Sequence, residues 1–252
     1  MDDHALLALA VRLAEQAGAA ILAVRARGFA VERKADLSPV TEADHAAEAI
    51  IVAGLRSATP DFPVIAEEEV AGGRVTAAAP AFWLVDPLDG TREFASGKDD
   101  FVVNIGLVRD GGMALGVVFI PALNEMFTGI VGRGAWKCDS SGEAPIHART
   151  PPDEGLTVVA SRLHGDTAQL DAFLAGRRVA RTLNYGSALK FCRVAEGGAD
   201  LYPRFGRTME WDTAAPQAVL EAAGGRVVTT DGARLRYGKP GWENPHFICW
   251  GS

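Results

Sequence analysis

Residues 83–94 read Trp83-Leu84-Val85-Asp86-Pro87-Leu88-Asp89-Gly90-Thr91-Arg92-Glu93-Phe94, an apolar run that ends in two acids and then turns at Gly-Thr. A buried strand ends in carboxylates only where water or a cation can receive them. Asp, Pro and Gly favour turns, so a surface turn with solvated acids stays open as an alternative. Gly90 allows close backbone approach, and a helical turn after it would aim N–H groups at an anion.

Other acids fall at comparable places. Pro63-Val64-Ile65-Ala66 reads as a short strand running into Glu67-Glu68-Glu69, and Asp212 in Glu210-Trp211-Asp212-Thr213 lies where a loop enters a helix. Strand ends and helix starts are where α/β proteins gather their chemistry. Acids gathered at one edge repel one another unless protonated or metal-bound, and all-oxygen donors without His or Cys select Mg²⁺ or Mn²⁺. Taken singly, the Glu triplet also fits a solvated loop and Asp212 a helix cap. Proline at 216 cannot donate the first intrahelical bond, which favours a helix starting near Thr213 with Asp212 at the elbow.

Along the chain, apolar residues at helical spacing predict helices over 3–27 and from Thr41 to about Ala58. Strands are expected at 82–85, 101–108, 113–120, 126–130 and 135–138, with Asp110-Gly111-Gly112 as a hairpin turn. The turn-rich stretch Ser140–Gly155 is the candidate boundary between units 1–147 and 148–252. Beyond it strands (156–160, 178–184, 199–203, 226–230) alternate with helices (166–175, 187–196, 213–223). This layout predicts an α/β (α+β) protein of two packed units.

The 252 residues, 48% of them hydrophobic, suffice for a large core. No apolar run reaches the roughly 20 residues of a membrane span, and no basic-then-apolar leader opens the chain, so a cytoplasmic protein without a transmembrane segment is expected. Three scattered cysteines form no CxxC pair, and a net charge of −7 argues against nucleic acid as a partner. It leaves room for a small anionic substrate, because a bound metal inverts the local field.

These motifs carry a resemblance. WLVDPLDGTREF resembles the DPxDGTxxF signature of the inositol monophosphatase superfamily, and WDTAAPQAVLEAAGG resembles its second, WDxAA followed by EAGG. Glu67-Glu68 matches the upstream acidic pair. Within the superfamily, Lys34–Asp44, Tyr185–Cys192 and Ala195–Phe205 are most similar to the 3'(2'),5'-bisphosphate nucleotidase branch. The resemblance implies a layered αβαβα sandwich of the inositol monophosphatase / fructose-1,6-bisphosphatase type. It also implies a lithium-sensitive, Mg²⁺-dependent phosphatase (two or three ions, with Mn²⁺ able to substitute) that hydrolyses 3'-phosphoadenosine 5'-phosphate to AMP.

Carried over residue by residue, the resemblance makes Glu67, Asp86, Asp89, Asp212 and the Leu88 carbonyl metal ligands. Catalysis falls to Glu67 and to Asp44 with Thr91, the pair that orients the attacking water. Leu88, Asp89, Gly90, Thr91 and Asp212 also face the substrate, with Ser187, Lys190 and Arg204 toward the nucleotide. Thr41 and Asp44 equally fit a helix-capping pair, and Lys190 a solvated helix residue. Pro216 and Ala66 depart from the family's usual residues. Inositol monophosphatase or broad sugar phosphatase activity on the same machinery is the main alternative. Haloacid-dehalogenase-type phosphatases carry D-x-D-G-T, and here the two acids stand one residue too far apart.

Overall fold

The computed structural model describes residues 1–34, 37–161 and 167–252. Helix α1 (Asp3–Arg27) starts where the Asp2 carboxylate accepts the Ala5 N–H at 2.8 Å. A short antiparallel pair, β1 (Val31–Arg33) and β2 (Pro39–Thr41), leads into α2 (Glu42–Ala58). Then come β3 (Val64–Ala66), α3 (Glu67–Ala71), β4 (Ala81–Asp89) and α4 (Thr91–Ala95). An antiparallel meander follows: β5 (Val102–Arg109), β6 (Gly112–Ile120), β7 (Glu125–Ile130), β8 (Gly134–Asp139) and β9 (Gly142–Ile146).

Strands β3 to β9 form one sheet in sequence order, parallel only between β3 and β4. Alternation along β4 assigns its faces. Trp83 and Val85 pack with Leu6, Leu13 and Ile21 of α1 and Ile51 and Leu55 of α2, whereas Phe82 and Leu84 join Trp211, Ala214 and Ala218 on the opposite face.

The remaining elements are β10 (Leu156–Ser161), α5 (Thr167–Leu174), β11 (Val179–Tyr185), α6 (Leu189–Ala195), β12 (Leu201–Arg204), α7 (Glu210–Ala222), β13 (Arg226–Thr229) and β14 (Phe247–Trp250). Among the described residues they build a second sheet in the order β11-β10-β12-β14-β13. One face of it, with Val159, Tyr202, Phe247 and Cys249, packs on α6 and α7. On the other, Val158, Leu201 and Ile248 meet Phe173 and Leu174 of α5. The layers therefore run α1/α2, first sheet, α6/α7, second sheet, α5: the expected αβαβα sandwich.

Three glycines in register on neighbouring strands, Gly106, Gly116 and Gly129, form the bed on which α7 lies. A Cβ at Gly106 would stand 2.8 Å from the Ala215 nitrogen, and one at Gly129 2.8 Å from the Val219 Cα. Only glycine lets the helix axis come this close to the sheet.

Some elements differ from the sequence reading. Strand β9 lies inside the stretch expected to be turns; most of it is exposed, so no apolar alternation announces it. Helix α7 begins at Glu210 rather than Thr213, because the Asp212 carboxylate accepts the Met209 N–H and fixes the first turn. Pro216 is thus inside the helix and leaves the Asp212 carbonyl without its donor. The helix expected at 166–175 is α5, and position 166 lies outside the described residues, as do Ala35 and Asp36 of the Lys34–Asp44 match. Helix α1 is long and apolar enough to cross a membrane by length and composition, which the reading in terms of uninterrupted runs missed. Its Leu6, Leu9, Leu13, Ile21 and Val24 are buried in the core.

Candidate active site

The end of β4 carries the opening motif. Asp86 is buried, and its Oδ1 accepts the Leu88 N–H at 3.0 Å, a local turn that sends the strand onward through Asp89. Pairing with β5 slips between Asp86 and Asp89, so the two acids leave the regular ladder. Gly90 then takes φ +95° and hands the chain to α4. A Cβ there would stand 3.2 Å from the Phe101 Cα and 3.3 Å from the Asp100 carbonyl, so any side chain in this turn is both strained and crowded.

Strand β3 lies beside β4 in parallel, so its exit into α3 delivers Glu67 to the same edge. Helix α7 reaches it from the other side of the sheet with Asp212. Carboxylate oxygens of Glu67, Asp86 and Asp212 lie within 4.8 Å of one another. Burial, followed by repulsion from the neighbouring acids, raises the Asp86 and Asp212 carboxyls well above the ordinary range. Burial also pushes Asp89 up to about 6, against the opposing pull of Lys190 and the Ala188 N–H.

This crowding is relieved by protons or by a cation. The donors are all oxygens, held by two strand ends and a helix start, and they suit a hard divalent ion. Lys34 sits at the rim, with Nζ 2.6 Å from both Glu67 and Glu68. Glu69 turns away to Arg56 and Arg74. The Glu triplet is thus three distinct positions rather than one solvated loop.

Asp44 makes the contacts that both readings of it require. Its Oδ2 accepts the Thr41 N–H and hydroxyl, each at 2.8 Å, which caps α2. Its Oδ1 accepts the Thr91 hydroxyl at 3.1 Å. Thr91 also lies 3.1 Å from the Leu88 carbonyl, so Leu88 faces the same point. Burial raises the Asp44 carboxyl, opposed by hydrogen bonds from Thr41 and Thr91.

A cavity of about 300 Å³ opens beside the acids. Glu67, Asp89, Gly90, Thr91 and Asp212 line it together with Ser187, Lys190, Arg204 and Arg207. Ser187 adopts φ +44°, an unusual value for a residue with a Cβ, and its neighbour Ala188 donates its N–H to Asp89 Oδ2 at 2.5 Å. Lys190 is buried rather than solvated, and its Nζ donates to the carbonyls of Ser187 (2.5 Å) and Tyr185 (3.4 Å). Glu93, Asp100, Arg207 and Thr208 were not singled out from sequence. Asp100 accepts the Gly186 N–H at 2.6 Å, fixing the turn before Ser187, and only three-dimensional contact joins positions so far apart.

A buried all-oxygen acid cluster, beside a cavity that lysine and arginine side chains also line, could hold a metal ion and suits an anionic substrate. The model of the inositol monophosphatase family matches residues 2–246, and the chain belongs to that family. The 3'(2'),5'-bisphosphate nucleotidase CysQ of Escherichia coli is 45% identical over 241 residues, 94% of this chain and 96% of the relative. The crystal structure of CysQ from Bacteroides thetaiotaomicron matches with TM-score 0.83 at 35% identity, covering 98% of this chain and 97% of that one. The inositol monophosphatase of Thermotoga maritima matches with TM-score 0.81 at 26% identity, covering 99% and 92%.

Proposed function

We propose that the chain is a Mg²⁺-dependent 3'(2'),5'-bisphosphate nucleotidase that hydrolyses 3'-phosphoadenosine 5'-phosphate to AMP and phosphate. The observation that carries this reading is the mixed lining of one cavity: the acids and Thr91, and with them Lys190, Arg204 and Arg207. An acid cluster handles one phosphate, and a second cluster of cations suits a substrate with another. Inositol 1-phosphate has only one.

Glu67, Asp86, Asp89, Asp212 and the Leu88 carbonyl would hold two or three Mg²⁺ ions, with Mn²⁺ as a substitute. When bound, the ions supply positive charge at the transferring oxygens and make water more acidic. The Thr91 hydroxyl gives its hydrogen to Asp44, so its lone pairs are free to accept from a water molecule and aim it at phosphorus. The water proton passes toward Thr91 and Asp44, and the ester oxygen departs on the opposite side and takes up a proton from solvent to become the free hydroxyl of AMP. The Gly90 and Thr91 amides hold the phosphate oxygens. Ser187, Lys190 and Arg204 orient the nucleotide side.

In this reading residues 1–147 supply the catalytic pair and most of the acids, and residues 148–252 supply Asp212 and the nucleotide contacts. A cytoplasmic location fits the commitment of α1 to the core and three cysteines that form no disulfide. The test is kcat/KM for 3'-phosphoadenosine 5'-phosphate against inositol 1-phosphate and fructose 1,6-bisphosphate. A clear preference for the bisphosphate nucleotide is expected. Equal or better hydrolysis of inositol 1-phosphate would replace this assignment with inositol monophosphatase activity.

A further inference from the structure

Asp212 reaches the acid cluster from the first turn of α7, and its orientation depends on the residue just outside that helix. Its Oδ2 accepts the Met209 N–H at 2.8 Å, and Met209 is extended at φ −102° and ψ 164°. The Met209 carbonyl in turn accepts from Asn244 Nδ2 at 2.7 Å. Asn244 also donates its backbone N–H to the Thr208 carbonyl at 2.9 Å, so it holds both peptides that flank Met209, Thr208–Met209 by its backbone and Met209–Glu210 by its side chain.

The amide can point only one way. Asn244 Oδ1 accepts from Lys239 Nζ at 3.1 Å, while Nδ2 faces the Met209 carbonyl and the Thr213 hydroxyl at 3.0 Å. Turned over, its oxygen would meet a carbonyl and its NH₂ an ammonium. Lys239 is anchored by an ion pair to Glu210 at 2.6 Å, and Glu210 also accepts the Gly238 and Lys239 N–H groups at 2.7 and 2.8 Å. Asn244 is 6% exposed and does not line the cavity, so it acts only through its neighbours.

We propose that Asn244 is a positioning residue for Asp212, acting through Met209, and that it sets the affinity of the acid cluster for divalent metal. This rests on the reading of Asp212 as a metal ligand. Without the Asn244 side-chain donor, the Met209 carbonyl keeps the longer contact with the Asp212 N–H at 3.2 Å, the Met209–Glu210 peptide can tilt, and the Met209 backbone shifts its N–H away from Asp212. The crowded acids beside it then push the carboxylate out of the cluster.

The test is Mg²⁺ binding by calorimetry, without substrate, on Asn244→Asp, Asp212→Asn and Thr59→Ala. Asn244→Asp keeps the size of the side chain but sets an oxygen against the Met209 carbonyl. It should weaken Mg²⁺ about 10–100-fold, the range for groups that orient a metal ligand, with kcat recovering at high Mg²⁺. Thr59 is equally buried in the first core, bonded to Leu55 and Trp83, and its loss should lower Tm with Mg²⁺ affinity unchanged. If Asn244→Asp does not fold, Asn244→Ser carries the same expectation. Wild-type Mg²⁺ affinity in the folded Asn244 variant overturns the proposal. Wild-type affinity in Asp212→Asn instead removes the ligand reading beneath it.

Discussion

The hydroxyl of Thr91 lies 3.1 Å from a carboxylate oxygen of Asp44, 47 positions earlier in the chain. The contact joins the start of α4 to the start of α2, and Asp44 cannot move without uncapping its helix. Thr91→Ala should therefore lower kcat by about 10²–10⁴-fold, the usual contribution of a positioned proton acceptor, with KM little changed. Thr91→Ser should keep most of the activity. Steady-state kinetics on both variants check this, and full activity in the alanine variant would remove Thr91 from the reaction.

Asp89→Asn replaces an anionic oxygen donor by a neutral amide at the edge of the cluster. The expected result is a loss of kcat by several orders of magnitude with the circular dichroism spectrum preserved. EDTA should silence the wild type, and Mg²⁺ should restore it. Activity that survives chelation would sink the metal assignment.

The acids also make Mg²⁺ stabilisation depend on pH. A carboxyl with a raised folded-state pKa contributes stability that is complete below its unfolded value and is lost as pH rises through the folded one. For Asp89 that window runs from about 3.8 to about 6, and for Asp86 and Asp212 it extends higher. Metal binding relieves the repulsion that remains once the protons have gone. The rise in Tm on adding Mg²⁺ should thus be larger at about pH 7.5 than at about pH 5.5, which thermal melts will show.

Lys190 is held with its pKa pushed down to about 8, chiefly by burial and against the attraction of Asp89. Its positive charge is present below that pH and is lost above it. KM for the bisphosphate nucleotide should climb above about pH 8, and Lys190→Met should abolish that limb. The variant should also lower kcat, because Nζ holds the Ser187 carbonyl of the peptide whose N–H reaches Asp89. A pH–rate profile with an unchanged alkaline limb would show that Lys190 does not meet the substrate.

Gly90→Ala forces a side chain into a left-handed turn already in contact with Phe101 and Asp100. It should cost about 1–3 kcal/mol of stability and reduce kcat through displacement of the Thr91 amide. Denaturant midpoints and kinetics measure the two effects separately.

Much of this site could be read in the sequence because its geometry is local. The Asp86–Thr91 turn folds on itself, and Glu67 follows directly from a strand. What escaped were features created by distant partners. Strand β9 has too little buried surface to leave a pattern, and β14 is a short run whose role depends on pairing with both β12 and β13. The start of α7 was misplaced because Pro216 was weighed without the Met209–Asp212 hydrogen bond. Lys190 lies in the cavity lining, but its bonds to backbone carbonyls depend on the positive-φ turn at Ser187, which the sequence does not signal.

The seating of α7 on Gly106, Gly116 and Gly129 has a kinetic consequence. The acids at the end of β4 belong to a nearly contiguous meander, whereas Asp212 waits on a helix made much later in the chain and docked across three strands. Such long-range closure is slow compared with local pairing. During refolding, recovery of secondary structure should run ahead of the capacity to bind Mn²⁺. Ion capture would then time the moment at which the middle layer locks between the two sheets.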